Sequence, residues 1–310
     1  MIFAPQQKVA CHPRFSKYLS GEVVPIINCE ISLSSICNAR CPVCFYRVDK
    51  NPKEGFINWG KLLAFLLDAD KGGLEAVTWS GGGEPTLHPD FPQLLFNVAA
   101  LTNLKQGLYT NALLDPEYEA EHLTWIRVSK TNESWPVDHI LKLRQQNKNV
   151  GLAVNYRDKR DVRDVEDGLG IAKRMDLRYM QVRPALNILG AATTFQVEDM
   201  EPLLRIDDKL LVVTPYKFSE CSKDDRGYFV CEGYHFSPMI WENGTMSTCM
   251  YMRHNHEYDL GNIYQDRFVD LCMNMPQIFP VAKDCQVCCK NNEMNRLISD
   301  CRKLEDRGFV

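Results

Sequence analysis

Six short apolar runs alternate with helical patterns between residues 26 and 183, and this alternation constrains the fold more than any other feature of the sequence. Each run is short enough to be a buried strand. The runs cover residues 26–33, 74–79, 106–110, 125–129, 150–155 and 179–183. Strands that alternate with helices pair in parallel through right-handed crossovers, so the pattern predicts an α/β fold, either a partial barrel or an open doubly wound sheet.

Helical patterns fill the gaps between these runs. Three of them begin beside a polar residue that is in position to cap a helix. These residues are Asn58 before residues 59–68, Asp90 before residues 91–101, and Asp161 before a periodic stretch that ends at Met175. Two weaker helical patterns follow Asp115 and Pro136. Each gap therefore holds one helical pattern, as repeated strand–helix units require.

The composition is that of an ordinary globular protein. The 310 residues are 45% apolar and 25% charged, with a formal net charge of -4. This balance gives no attraction to nucleic acid or to anionic lipid, so we expect neither as a partner. The sequence shows no secretory signal and no apolar run long enough to cross a bilayer, which predicts a cytoplasmic protein without a membrane partner. The oligomeric state stays open.

Thirteen cysteines in a chain without a secretory signal indicate thiolate ligands rather than disulfide bonds. Three of them, Cys37, Cys41 and Cys44, directly follow the first predicted strand. Loops at the carboxyl ends of parallel strands carry the active sites of such folds. Three closely spaced cysteines leave one iron of a 4Fe-4S cluster without a protein ligand, and that iron is open to a cofactor. A zinc site or a purely structural site is the alternative.

A run of glycines follows the second predicted strand. Adjacent glycines allow a backbone to approach a ligand more closely than any side chain permits, although a tight strand-to-helix turn uses them as well. The run and the two residues after it are Gly81, Gly82, Gly83, Glu84 and Pro85.

The cysteine spacing, with Phe45 and Tyr46 after it, and the glycine run together resemble the two motifs of the radical S-adenosylmethionine (SAM) superfamily. The resemblance implies a partial (β/α)6 barrel in which the three cysteines hold a catalytic 4Fe-4S cluster and SAM chelates the open iron. Residues 81–85 would line the site for the methionyl amino group of SAM. The resemblance also implies a flavodoxin or ferredoxin as electron donor, and cleavage of SAM to a 5'-deoxyadenosyl radical that abstracts a hydrogen atom.

Softer matches to the same superfamily lie where four further strands end. In relatives, a serine on the fourth strand commonly contacts the ribose or the carboxylate of the cofactor, and the backbone of the sixth strand contacts its adenine. In this sequence the residues at the ends of the third, fourth, fifth and sixth strands are Asn111, Ser129, Asn155 and Arg183. We expect them to bind the cofactor, although each also fits a structural role.

The sequence changes character after about residue 215, where the strand–helix rhythm ends and cysteines crowd together. A small domain held by metal explains such a region, because short irregular segments bury little apolar surface. We therefore expect an N-terminal extension (residues 1–22), a radical SAM core (residues 23–215), and a small C-terminal iron-sulfur domain with a tail (residues 216–310).

Cys231, Gly244 and Cys249 have the spacing found at the start of the twitch and SPASM auxiliary-cluster domains, in which the glycine turns a hairpin. The rest of a full SPASM motif is missing, because Met294 and Ile298 occupy its cysteine positions. The resemblance implies one auxiliary 4Fe-4S cluster of the twitch type, held by Cys231, Cys249, Cys285 and Cys288. The alternatives are Cys289 in place of Cys288, a ligand role for Cys221, a second cluster on Cys221, Cys272, Cys289 and Cys301, or a zinc ion on the first four ligands.

An auxiliary cluster near the substrate would accept an electron from a substrate radical, which implies oxidation of a small molecule such as a sugar, a cyclitol or a nucleoside. His235, Lys130 and Arg157 are candidates to take the accompanying proton from their location alone, and the catalytic residue stays unidentified. The alternative is crosslinking or epimerisation of a ribosomally made peptide. The 25 residues before the first predicted strand are few for the leader-binding domain that such enzymes often carry. A metal-binding interaction protein without activity is the third hypothesis.

Overall fold

The computed structural model describes residues 5–42, 44, 46, 55–185, 197–213, 226–253, 255–276, 279–280 and 291–303. The strands are β1 (Asn28–Ser32), β2 (Ala76–Ser80), β3 (Lys105–Thr110), β4 (Trp125–Ser129), β5 (Val150–Tyr156), β6 (Met180–Pro184), β7 (Leu211–Val213), β8 (Val230–Cys231), β9 (Met239–Ile240), β10 (Thr245–Ser247), β11 (Asp259–Asn262) and β12 (Phe279–Pro280). The α-helices are α1 (Pro5–Ala10), α2 (Pro13–Leu19), α3 (Trp59–Lys71), α4 (Phe91–Leu101), α5 (Val137–Gln146), α6 (Val162–Arg174), α7 (Val197–Leu204), α8 (Phe268–Met273) and α9 (Asn292–Lys303).

Ten of these strands form one sheet in the order β11-β10-β9-β1-β2-β3-β4-β5-β6-β7. Strands β1 to β7 all run parallel, with Ile31 beside Trp79 and Leu108 beside Ile126 in the register. Over the described ranges the outermost strands β7 and β11 do not pair, so the sheet is an open, partial barrel. This architecture confirms the predicted α/β fold.

All six predicted strands are present, each within two residues of its predicted ends. The parallel strand β7 has no counterpart among the predictions. Its three residues, Leu211–Val213, are too few to show a period.

The helices cover one face of the sheet. Their apolar residues recur every three or four positions, so each helix has one apolar side that packs against the strands. α3 buries Leu62 and Leu66, and α4 buries Leu95, all against the strands. Each fully buried leucine stabilises the fold by about 2 kcal/mol. None of the described helices is long and apolar enough to span a bilayer.

The three predicted helix caps differ in what their side chains do. Asn58 caps α3, since its Oδ1 accepts a hydrogen bond from the amide of Lys61 at 2.9 Å. Asp90 and Asp161 also precede their helices, but neither carboxylate makes a capping hydrogen bond. The carboxylate of Asp161 instead accepts from the amide and the guanidinium of Arg157. The expectation that the side chain of Asp90 caps α4 is therefore wrong, whereas Asp161 precedes a helix as expected.

The two weaker helical patterns also have different outcomes. The pattern after Pro136 forms the full helix α5. The segment after Asp115 forms only one 3-10 turn, Ala120–His122.

The C-terminal part of the chain adds strands to the same sheet. β9 pairs in parallel with β1, where Glu30 lies beside Met239 and Ile31 beside Ile240. β10 then pairs antiparallel with β9, and β11 with β10. β1 is thus a central strand, with the core strand β2 on one side and the C-terminal strand β9 on the other.

The N-terminal residues form two short helices that pack against the C-terminal helix α9. Their apolar side chains, including Phe15 and Tyr18 of α2, form a second cluster with Phe236 and with Ile298 of α9. Arg14 also holds α2 to the sheet, because its Nη2 donates to the carbonyl of Gly73 at 2.6 Å.

Candidate functional site

Two loops meet at the carboxyl ends of β1 and β2: the cysteine loop (residues 33–42, 44 and 46) and the glycine loop (residues 81–85). Three backbone amides of the glycine loop donate hydrogen bonds to the cysteine loop and to the end of β1. The pairs are Gly83 to the carbonyl of Ser34 (2.7 Å), Glu84 to the carbonyl of Ile36 (2.8 Å) and Gly82 to Oγ of Ser32 (2.7 Å). The structure therefore brings the two sequence motifs together as one unit.

The glycines are required by this close approach. A Cβ atom on Gly83 would lie closer than 3.0 Å to the backbone of Ile36, and one on Gly81 would lie equally close to the backbone of Gly83. A Cβ atom on Gly82 would instead meet the end of a side chain, Nη1 of Arg253, at 2.7 Å. Two of the three glycines thus serve contact between backbones, and Gly82 makes room for a guanidinium.

Glu84 is the polar centre of this unit. Its side chain is buried, and Oε2 accepts the amide of Asn111 at 2.8 Å while Oε1 accepts the hydroxyl of Thr110 at 2.7 Å. Oε1 also accepts the hydroxyl of Thr86 at 2.8 Å, and Pro85 begins the short 3-10 turn that follows. Burial raises the pKa of Glu84, although these hydrogen bonds favour the charged form and oppose the shift. The carboxyl group therefore fixes the glycine loop to the end of β3.

Asn111 joins the end of β3 to the cysteine loop. Its Nδ2 donates to Oδ1 of Asn38 at 2.7 Å and lies 3.8 Å from Sγ of Cys37. The next residue, Ala112, has a positive φ of 52°, a strained value for a residue with a Cβ atom. His139 of α5 contacts the carbonyl of Ala112 through Nδ1 at 2.8 Å and so supports this turn.

The electrostatic surroundings of the thiols follow from this packing. Although part of Cys37 is exposed, desolvation of its thiol raises its pKa to about 11. The charges of Glu84, Cys44 and Cys41 raise it further, whereas the amide of Ala39, which donates to Sγ at 3.4 Å, lowers it. The Cys37 thiol is thus near enough to Cys41 and Cys44 for their charges to oppose its ionisation.

Cys41 lies against the loop that follows β4. Burial raises the pKa of its thiol, and a hydrogen bond from the amide of Asn132 and the charge of Lys130 oppose the rise. The amide hydrogen bonds to the sulfurs of Cys37 and Cys41 fit an iron-sulfur cluster, because the sulfurs of cluster thiolates accept such hydrogen bonds. In the part of the chain that the structure describes, no three His, Cys, Asp or Glu side chains form a group that could hold a single metal ion.

The other predicted cofactor residues share the rim formed by the carboxyl ends of the strands. Ser129 ends β4, and Asn155 of β5 lies beside Arg183 of β6 in the register. All three are half-buried. The structure therefore places them on the same edge of the sheet as the two loops.

The candidate proton acceptors are held in other contacts. Nζ of Lys130 lies 3.2 Å from the carboxylate of Asp164, and Arg157 is bound to Asp161. His235 lies beyond the opposite end of β1, because the next residue, Phe236, accepts the amide of Asn28 at the start of that strand. The ring of His235 stacks on Tyr234 with centroids 4.4 Å apart.

Two of the predicted auxiliary ligands can be placed. Cys231 is half-buried and Cys249 is buried. Buried Asn295 of α9 organises the backbone at Cys231, because Oδ1 accepts the amides of Glu232 and Gly233 at 2.8 Å and 2.7 Å and Nδ2 lies 3.4 Å from Sγ of Cys231. Cys285 and Cys288 lie outside the described residues, as do Cys221 and Cys289.

The remaining candidate ligands, Cys272 and Cys301, lie apart from each other. Cys272 is buried in the main core, where burial raises the pKa of its thiol, and Cys301 packs against the second apolar cluster. This separation gives no support to a second cluster that would use both of them.

Several residues that organise the site carry no sequence motif. Ser32 and Thr110 stand at strand ends, a position that could have identified them. Asn38, Asn132 and Asn295 act through contacts with distant parts of the chain, and no local pattern indicates them.

Comparison with known proteins agrees with this geometry. Residues 31–129 match the Radical SAM superfamily. Over 85 residues the chain is 33% identical to the tungsten-containing aldehyde ferredoxin oxidoreductase cofactor-modifying protein of Pyrococcus furiosus, and this segment covers 27% of the chain and 23% of that relative.

Solved structures resemble the fold over most of its length. Streptococcus suis SuiB bound to the precursor peptide SuiA superposes with a TM-score of 0.65 at 15% identity, covering 85% of this chain and 68% of that one. The structure of anSMEcpe with bound AdoMet and the Cp18Cys peptide superposes with a TM-score of 0.58 at 18% identity, covering 86% and 87% of the two chains. At these identities the likeness concerns the fold. The family match therefore lies in residues 31–129, the segment that carries the cysteine loop and the glycine loop.

Proposed function

We propose that the chain is an oxidoreductase that cleaves SAM reductively at a 4Fe-4S cluster held by Cys37, Cys41 and Cys44 and then abstracts a hydrogen atom from a bound substrate. The observation that carries the proposal is the hydrogen-bonded union of the cysteine loop and the glycine loop at the carboxyl ends of β1 and β2. When bound, the cluster would supply the electron that converts SAM to a 5'-deoxyadenosyl radical.

The residues of the chain would hold and orient the cofactor. Glu84 and Asn111 link the two loops through hydrogen bonds and so hold the thiols beside the glycine backbone. The glycine loop would contact the methionyl end of SAM. Ser129, Asn155 and Arg183, which share the rim and are half-buried, would also contact the cofactor.

A second cluster would give the reaction its oxidising outcome. Cys231 and Cys249 with Cys285 and Cys288 are its proposed ligands. The contact of Asn295 with Sγ of Cys231 supports a ligand role, since hydrogen bonds to sulfur are typical of cluster thiolates. A flavodoxin or ferredoxin is the proposed electron donor.

Two substrate classes are compatible with the proposed reaction. The first is a small molecule of the sugar, cyclitol or nucleoside kind, oxidised by two electrons. The second is a peptide, and it is favoured by the fact that SuiB and anSMEcpe, which share the fold, have each been solved with a bound peptide.

Cluster content and SAM cleavage test the proposal. The anaerobically reconstituted protein should hold close to two 4Fe-4S clusters, and the variant with Cys37→Ala, Cys41→Ala and Cys44→Ala should lose about four irons per chain. With dithionite and SAM, the wild type should release 5'-deoxyadenosine and the triple variant should not. The matched control is Cys11→Ala, which removes an exposed thiol with no proposed role. Equal release by the wild type and the triple variant would refute the assignment.

Separate fractions of small metabolites and of peptides distinguish the two substrate classes. A small-metabolite fraction and a peptide fraction are added separately, and stimulation of 5'-deoxyadenosine release is measured. A small-molecule substrate predicts stimulation by the first fraction that survives protease treatment. A peptide substrate predicts stimulation by the second fraction that protease abolishes.

A further inference from the structure

The face of the sheet that looks away from the helices is polar and aromatic. On β3 to β6 the buried apolar residues, such as Leu108 and Leu152, point to the helices, so the alternate residues line the interior of the partial barrel. We call these alternate residues the inner face. They are Gly107, Tyr109, Trp125, Arg127, Ser129, Gly151, Ala153, Asn155, Tyr179, Gln181 and Arg183.

Two glycines allow aromatic rings to lie flat across the inner face. A Cβ atom on Gly107 would overlap the indole of Trp125, and one on Gly151 would overlap the ring of Tyr179. The ring of Tyr109 lies 4.9 Å from that of Trp125. Together these rings form an aromatic floor in the barrel, which lowers the local polarity.

Arg127 places a charge on this floor. Its guanidinium lies over the ring of Tyr109, 3.7 Å from the centroid, and Nη1 donates to Oε1 of Gln181 at 3.2 Å. Both contacts fix its orientation. Its Nε is buried and has no hydrogen-bond acceptor among the described residues. In the ranges that the structure describes, no carboxylate forms an ion pair with Arg127.

This arrangement is costly without an anion. A guanidinium charge held among aromatic rings loses hydration that one neutral amide does not replace. Arginine pairs in proteins with carboxylate groups through two parallel hydrogen bonds. A singly charged, planar carboxylate matches one guanidinium in charge and shape.

The depth of Arg127 suits a substrate group. Arg127 precedes Ser129, the last residue of β4, by two positions on the same face, which is about 7 Å of strand. The proposed cofactor residues lie at the rim. A group bound to Arg127 would therefore lie one layer of side chains below them, in the interior of the barrel.

We infer that Arg127 binds a carboxylate group of the substrate, with Tyr109 and Gln181 holding the guanidinium in place. The inference rests on the proposed function, because it assigns the inner face to the substrate of that reaction. The substrate, whether a small molecule or a peptide, then carries a free carboxylate.

A matched pair of probes tests the inference without knowledge of the substrate. The probes are 3-phenylpropionate and its amide, which have the same shape and differ in charge, and their aromatic ring suits the floor. Calorimetry on the reconstituted holoprotein should show that the carboxylate binds about tenfold more tightly than the amide. Arg127→Gln should abolish this preference, and Arg127→Lys should retain part of it, since lysine keeps the charge and loses the planar fork.

Arg267→Gln is the control, because Arg267 is exposed and paired with Asp270 on the outer side of the barrel. It should keep the full preference. Equal affinity of the wild type for the two probes, including no measurable binding of either, would overturn the inference. So would a preference that survives Arg127→Gln. Release of 5'-deoxyadenosine without substrate is measured in parallel: its absence in the wild type refutes the proposed function, and its presence with equal probe binding refutes only the role of Arg127.

Discussion

The glycine loop offers a comparison of two identical substitutions at neighbouring positions, Gly83→Ala and Gly82→Ala. In each case a methyl group is added to the same loop. In Gly83→Ala the new methyl group would overlap the fixed backbone of Ile36. In Gly82→Ala it would instead meet Nη1 at the end of the Arg253 side chain, which can shift although it is paired with Glu242. We expect the first to be strongly destabilising and the second to be mild.

The magnitude follows from the hydrogen bonds between the loops. An ordinary contact begins at 3.4 Å, so the cysteine and glycine loops would have to separate by about 1.4 Å to accept the methyl group on residue 83. That displacement breaks the bonds from Gly83 to Ser34 and from Glu84 to Ile36. Each lost backbone bond costs about 1 kcal/mol, so Gly83→Ala should lower the free energy of unfolding by about 2 to 3 kcal/mol. Gly82→Ala should change it by less than about 1 kcal/mol, because reduced freedom of the unfolded chain offsets the shift of Arg253.

Urea unfolding of the metal-free proteins, followed by circular dichroism, measures the difference. The metal-free state is chosen so that cluster binding does not add to the stability. Gly83→Ala should unfold at a clearly lower urea concentration than the wild type, with an unchanged slope. If both variants unfold at the same urea concentration, the close approach of the loop backbones is not the reason that glycine occupies position 83.

Three further predictions concern buried and paired side chains. Glu84→Gln should destabilise the metal-free protein by about 1 to 3 kcal/mol in urea unfolding, because an amide cannot satisfy all the donors around this carboxylate, and the exposed control Glu133→Gln should have little effect. Asn295→Leu should cost about 2 kcal/mol in the same assay, since two buried amides lose their acceptor; no loss would show that these bonds do not contribute. Hydrogen bonds from the side chain and amide of Arg160 lower the pKa of Asp158 to about 2, so the stability that this pair provides should be present above about pH 4 and lost as the pH falls toward 2. Carboxyl NMR should show this pKa rising toward about 3.9 in Arg160→Gln, and an unchanged pKa would contradict the assignment.

The sequence predicted those parts of the fold that depend on local pattern. The six strands and the helix behind Asn58 follow from apolar periodicity and from one capping residue, and both are properties of a few adjacent positions. The meeting of the cysteine and glycine loops was also predictable, because consecutive parallel strands place their carboxyl ends on one edge. The detailed role of the glycines was not. The sequence indicates space for a ligand, whereas at Gly83 the space is taken by the backbone of Ile36.

Contacts between distant residues explain what the sequence could not show. Asn295 organises Cys231 from 64 positions away, and nothing near either residue indicates the pair. The inner face could be predicted from the sequence only in part. Trp125, Arg127 and Ser129 alternate with buried Ile126 and Val128, so the sequence signals a polar face, but the stacking of Arg127 on Tyr109 requires the register of β3 and β4.

The position of β1 between β2 and β9 has a consequence for any attempt to divide the chain. If the chain is cut near residue 215, β9 is removed and β1 becomes an edge strand whose backbone groups near Glu30 and Ile31 lose their partners. A buried strand made into an open edge invites pairing with other chains. The N-terminal two thirds expressed alone should therefore aggregate. In the full chain β9 covers the edge of β1 and so prevents self-association of the core.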